Sequence, residues 1–155
     1  MASPVLLCTD GSDLSLRALA VGRALLDPDA PVVVVTVMDS PDPALLSGTG
    51  TAGGVVSAEE FDAKTDVAAA EARAIVADAR ERLGLGGAEA YILGGEPGDA
   101  ICRLASEVSA PAIVVGSRGN GGLRRAVLGS VSDHLVRHAP CPVIVTGDNV
   151  VADDG

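Results

Sequence analysis

Apolar runs and amphipathic stretches alternate along the chain. Residues 4–9 form a short apolar run that ends at Asp10-Gly11-Ser12, the pattern of a strand entering a turn. Ser12 or Asp13 can cap a helix running to about Leu26, with Leu14, Ala18, Val21 and Leu25 on one face. Asp27-Pro28 and Pro31 break that helix. Residues 32–38 are mostly β-branched and read as a buried strand, and the Pro-, Gly-, Ser- and Thr-rich residues 39–57 read as a loop. Residues 58–83 carry the longest helical pattern: Phe61, Thr65, Ala68, Ala72, Ile75, Ala79 and Leu83 recur at helical spacing, and Gly84 is placed to end it. Residues 88–93 read as a third strand. Glu96-Pro97-Gly98-Asp99 opens a third helix with Pro97 at its first position and Ile101, Leu104, Ala105 and Val108 on its inner face. A strand over 112–117, a helix-like segment over 131–138 and a strand over 142–146 complete the pattern.

Strands without polar alternation, separated by amphipathic helices, predict an α/β fold in which helices cover both faces of a five-stranded parallel sheet. Ligands of such sheets bind beyond the carboxyl ends of the strands, near the point where strand order reverses. Asp10 follows the first strand and Gly116 the fourth. If those strands are neighbours, the two loops face each other across one crevice.

Composition narrows the function. The chain has 155 residues, enough for one domain, expected over 1–147, with an acidic, frayed tail over 148–155. Apolar residues make up 48%, which excludes disorder as its class. One Phe, one Tyr and no Trp leave no aromatic platform for stacking nucleic-acid bases, and a net charge of -10 repels nucleic acid and anionic membranes alike. No run is long and apolar enough to span a membrane, and the first residues lack the features of a signal peptide, so the expected location is cytoplasmic. Cys8, Cys102 and Cys141 form no C-x-x-C pair and read as reduced, small apolar residues.

The chemistry concentrates near the C-terminal end. Gly116, Gly119, Gly129 and Ser130 are spaced Gly-x2-Gly-x9-Gly-Ser, between an apolar strand and a helix start. Glycines admit close approach of the backbone, and a helix N-terminus presents unpaired N–H groups and a positive dipole end, which together suit phosphate. Arg118, Arg124 and Arg125 lie in this stretch, and no acidic residue occurs between Glu107 and Asp133. Arg124 and Arg125 are read either as a clamp on terminal phosphates or as solvated loop charges. Ser130 can be the helix cap, with Asp133 three residues on as a weak capping box, and a cap hydroxyl there also lies where phosphate binds. Asp10 can accept from a ribose hydroxyl or hold hydrated Mg2+, or else bond its own turn. His134 and His138 have metal-like spacing but no evident third ligand, so no metal site is assigned, and His138 suits the negative end of its helix. Gly48-Thr49-Gly50-Thr51-Ala52-Gly53 matches G-x-G-x-x-G, but it neither follows a strand directly nor opens a helix, so it is read as a loop.

Together these residues resemble the universal stress protein family. The points of match are Thr9-Asp10-Gly11-Ser12, Gly95-Glu96-Pro97, Val114-Val115-Gly116-Ser117-Arg118-Gly119, Leu128-Gly129-Ser130-Val131-Ser132 and His138-Ala139-Pro140-Cys141-Pro142-Val143. The resemblance implies a Rossmann-like fold, related to the adenine nucleotide alpha hydrolases, with strand order 3-2-1-4-5. It also implies membership of the ATP-binding branch, which the spaced glycine motif marks. On that footing Cys8, Thr9 and Asp10 line the adenine and ribose side, and Val37 or Met38 contacts the adenine. Val115 and Gly116 pack beside the nucleotide. Arg118, Gly119, Gly129, Ser130, Val131 and Ser132 surround the phosphates. The implied ligands are ATP and Mg2+, and the implied assembly is a homodimer through strand 142–146.

The function expected is a nucleotide-dependent binding or regulatory module of the stress response, acting on an unknown protein partner. The alternative is an adenine-nucleotide-hydrolysing enzyme of the related hydrolase or pyrophosphatase type, whose usual Ser-Gly-Gly-x-Asp-Ser loop Thr9-Asp10-Gly11-Ser12-Asp13-Leu14 matches poorly. A phospho-accepting receiver domain needs a lysine after the fifth strand, and the only lysine is Lys64. No Walker lysine and no obvious base for water activation are present, so at most slow hydrolysis is expected.

Overall fold

The apolar runs become strands β1 (Val5–Cys8), β2 (Val32–Val37), β3 (Ala90–Leu93), β4 (Ile113–Gly116) and β5 (Val143–Thr146). The amphipathic stretches become helices α1 (Asp13–Ala24), α2 (Ala58–Arg82), α3 (Pro97–Glu107) and α4 (Ser130–His138). The computed structural model describes residues 2–39, 57–117 and 128–147. Arg118, Gly119, Arg124, Arg125, the 48–53 glycine stretch and the 148–155 tail lie outside the described residues. All strand pairs are parallel, in the order β3-β2-β1-β4-β5. Strand order reverses between β1 and β4, the neighbours on which the crevice depends.

Alternate side chains of each strand enter opposite layers. Leu6, Cys8, Val33, Val35, Ile113 and Val115 pack with Ile101, Leu104 and Leu135 from α3 and α4. Val5, Leu7 and Val114 pack with Leu19 of α1, and Val34 with Leu16 and with Ala79 of α2. Burial on both faces is why β1 and β4 are apolar at every position.

Helix ends follow local chemistry. Ser12 caps α1, its Oγ accepting the Ser15 N–H at 3.1 Å. Ser57 and Glu60 form a reciprocal capping box on α2. Glu96 caps α3 with Pro97 next, and Gly84 follows α2 with φ +66°.

Two helical faces differ from the pattern. On α1 the buried side chains are Ser15, Leu16, Ala18, Leu19 and Gly22, whereas Leu25 is 71% exposed. Small residues share that face with Leu16 and Leu19 because α1 lies close on β4: a Cβ at Gly22 would sit 2.3 Å from Val114 Cγ1. On α2 no residue before Ala68 is buried, so Phe61 and Thr65 do not join the buried face, and Val76 rather than Ile75 is buried among the later residues. A helix of 25 residues spans about 37 Å, while a six-residue strand spans about 20 Å. The helix therefore outruns the sheet, and its middle crosses the carboxyl ends of the strands.

Candidate functional site

That crossing helps enclose a cavity of about 480 Å³ at the carboxyl ends of β1, β2 and β4. Six segments meet there, and four of them carry the residues read from the sequence. Cys8, Thr9 and Asp10 come from β1 and its turn, and Val37 and Met38 from the end of β2. Val115 and Gly116 come from β4, and Gly129, Ser130, Val131 and Ser132 from the start of α4. Of the candidate residues read from the sequence, Arg118 and Gly119, with the Arg124–Arg125 pair, lie outside the described residues.

Hydrogen bonds hold the four segments in register. Thr36 Oγ1 donates to the Thr9 carbonyl at 2.8 Å, tying β2 to β1. Thr9 is buried, and its Oγ1 accepts the Gly11 N–H at 3.0 Å and the Ser15 hydroxyl at 2.8 Å. Gly11 has φ +85°, and a Cβ there would meet Ile75 of α2 at 2.7 Å. The Gly129 N–H donates to the Ser117 carbonyl at 2.7 Å, so the chain leaving β4 and the chain entering α4 meet at one point. Ser132 Oγ donates to the Gly129 carbonyl at 3.0 Å and lies 3.3 Å from the Ser117 carbonyl, so this hydroxyl braces the junction from within.

Two side chains act differently from the simplest reading. Asp10 forms its Asx turn, with Oδ1 accepting the Ser12 N–H at 2.9 Å and the Ser12 hydroxyl at 2.6 Å, yet it is exposed and lines the cavity. Gly129, not Ser130, is the cap of α4, and it makes no side-chain cap bond. Asp133 pairs with Arg137 at 3.1 Å instead of completing a capping box. The reason is positional: the helix begins one residue earlier than the sequence pattern suggests. Among the described residues the first amides of α4 thus have no side-chain cap at the cavity wall, an arrangement that suits an anion.

Charge on the lining is one-sided. Asp39 and Glu71 join Asp10 there, and among the described residues the lining contains no lysine or arginine. The sequence pattern does not single out Glu71 or Asp39. Glu71 could be found only from its place between Ala68 and Ala72, on the stripe of α2 that crosses the strand ends. Ser15, Thr36 and Ile101 also line the cavity and have no motif of their own.

Burial pushes the Cys8 thiol far above the usual range, so it stays protonated and unreactive inside the wall. In the unfolded chain an ordinary thiol ionises from about pH 8.5. The folded state then holds one more proton at Cys8, so its stability contribution is full below that pH and is lost as pH rises above it. Denaturant titrations between pH 8 and 10 should show stability falling, and Cys8→Ala should flatten that slope by up to about 1.4 kcal/mol per pH unit. An unchanged slope would show that Cys8 ionises freely in the fold.

A second grouping lies near this cavity. His134 Nε2 sits 3.1 Å from Asp99 Oδ1, with Glu96 beside them, while the His138 ring lies tilted at 50° to that of His134 with centroids 4.7 Å apart. The partners of His134 come from α3, which spacing along α4 does not reveal.

Comparison with known proteins follows the same lines. Residues 1–147 match the model of the universal stress protein family. A universal stress protein of Thermus aquaticus is 32% identical over 145 residues, covering 94% of this chain and 98% of its own. The crystal structure of a universal stress protein in complex with cAMP is 27% identical, with a TM-score of 0.61, covering 96% of this chain and 99% of that one. A universal stress protein of Archaeoglobus fulgidus in complex with dAMP is 26% identical, with a TM-score of 0.51, covering 92% and 96%.

Proposed function

Because the chain belongs to the universal stress protein family, we propose that it holds an adenine nucleotide, ATP with Mg2+, in the cavity above β1 and β4. On this reading it is a nucleotide-dependent regulatory module of the stress response, not a catalyst. The observation that carries the proposal is the convergence of six segments on one cavity beside the first turn of α4, whose N-cap makes no side-chain bond. The cAMP and dAMP complexes of the two similar proteins support an adenine nucleotide as the occupant.

The lining suggests an orientation. The first amides of α4 take the phosphates, and the Asp10 side takes the ribose. Val37, Met38 and Val115 pack on the base. Arg118 and Gly119 complete the phosphate side. The exposed carboxylates of Asp10, Asp39 and Glu71 fit the oxygen ligands that hydrated Mg2+ prefers. Bound Mg2+ would offset triphosphate charge, and it would be held by the nucleotide and water together with Asp10.

The assembly proposed is a cytoplasmic homodimer through the edge strand β5, whose Val143, Ile144 and Val145 are only partly buried. Among the described residues no helix is long and apolar enough to cross a membrane. The test of function is to purify the protein, denature it and chromatograph the released small molecules. ATP near one per chain is the expected result. The absence of any adenine nucleotide, with no binding when Mg-ATP is added, would overturn the proposal.

A further inference from the structure

Three metal-ligating groups meet where the first turn of α3 packs against α4. One donor atom each from Glu96, Asp99 and His134 lies within 4.8 Å of the others. None of the three residues lines the nucleotide cavity. We propose that they form a separate site for a divalent transition-metal cation of the Mn2+, Co2+ or Zn2+ class.

The donor set decides the class. Carboxylates alone would suit Mg2+ or Ca2+, but an imidazole nitrogen beside two carboxylates suits first-row transition metals. Two carboxylates balance the dication. Glu96 and Asp99 are exposed, so water fills the remaining coordination positions.

The groups are held in place before any ion arrives. Glu96 Oε2 accepts the Asp99 N–H at 2.9 Å as the cap of α3, which fixes the two carboxylates side by side. The same carboxylates offset the partial positive charge of the α3 N-terminus. The His134 ring rests on Gly98, where a Cβ would come within 2.5 Å of it, and the tilted His138 ring contacts it from its own helix. Only glycine at position 98 lets the imidazole lie this close to the start of α3. Metal binding would therefore bridge α3 to α4, the helices that contribute Pro97, Ile101, Ser130 and Val131 to the cavity wall.

The test is titration of the whole protein with Co2+, followed by visible absorption and calorimetry. One equivalent should bind, with weak d–d bands and no thiolate charge-transfer band. Asp99→Asn, His134→Gln and Glu96→Gln should each weaken binding at least tenfold, since losing even an outer partner of a metal ligand costs about that much. Cys102→Ser and Cys141→Ser should change nothing. Glu96→Gln keeps an oxygen acceptor for the helix cap, and thermal melts establish that each variant is folded. Equal binding by wild type and all three site variants, no saturable binding, or a thiolate band abolished by Cys141→Ser would each overturn the proposal.

Discussion

Gly22→Ala should destabilise the protein by about 2 kcal/mol, opposite in sign to the effect of helix propensity. Inside an exposed helix alanine is favoured over glycine by about 1 kcal/mol. At this position the added methyl would sit 2.3 Å from Val114 Cγ1, and Val114 is fully buried on a central strand. The helix cannot simply withdraw, because Thr146 Oγ1 donates to the Ala18 carbonyl at 2.7 Å and holds α1 against β5. Overpacking of this kind costs about 1–3 kcal/mol, and here it also forces apart the helix and the strand that ends at the site. Gly22→Val should lose more. Urea denaturation followed by circular dichroism reads the difference directly. An alanine variant as stable as wild type would show that α1 lies farther from the sheet than described.

Gly129→Val should abolish nucleotide binding while leaving the fold intact. Gly129 has φ −60° and ψ 157°, a conformation valine adopts without strain, so the backbone does not require glycine there. Its N–H still donates to the Ser117 carbonyl after the substitution. What changes is the space in front of the first amides of α4, because Gly129 lines the cavity. A branched side chain there would displace the phosphates, and affinity for Mg-ATP should fall by at least about 100-fold, or roughly 2.7 kcal/mol. Calorimetry gives the affinity, and an unchanged urea midpoint separates a blocked site from a damaged fold. Wild-type affinity in a folded variant would place the phosphates elsewhere.

Much of this architecture was legible in the sequence for a simple reason. Strands buried on both faces must be apolar throughout, and β1, β2 and β4 show this without ambiguity. Caps are equally local: Ser12 and the Glu96-Pro97 pair announce their helices. That Asp10, Gly116 and Gly129 line one cavity was legible because each sits at or just after a strand end or opens a helix on the same side of the sheet. Contacts between distant elements were not legible. Nothing in residues 58–82 tells how far α2 overshoots the sheet, so the presence of Glu71 and Ile75 at the cavity could not be read from spacing. On α1 the apolar pattern picks out Ala18 but misses Ser15 and Gly22, which close packing selects and which carry little apolar signal. His134 was paired by spacing with His138 on its own helix, whereas Glu96 and Asp99 reach it across the α3–α4 contact.

The most direct measurement is a crystal structure of the protein grown with Mg-ATP. The triphosphate should lie against the amides of Ser130, Val131 and Ser132, with the base beside Val37 and Val115 and the ribose beside Asp10. A nucleotide found on another face of the sheet, or a cavity holding none at saturating Mg-ATP, would contradict the account.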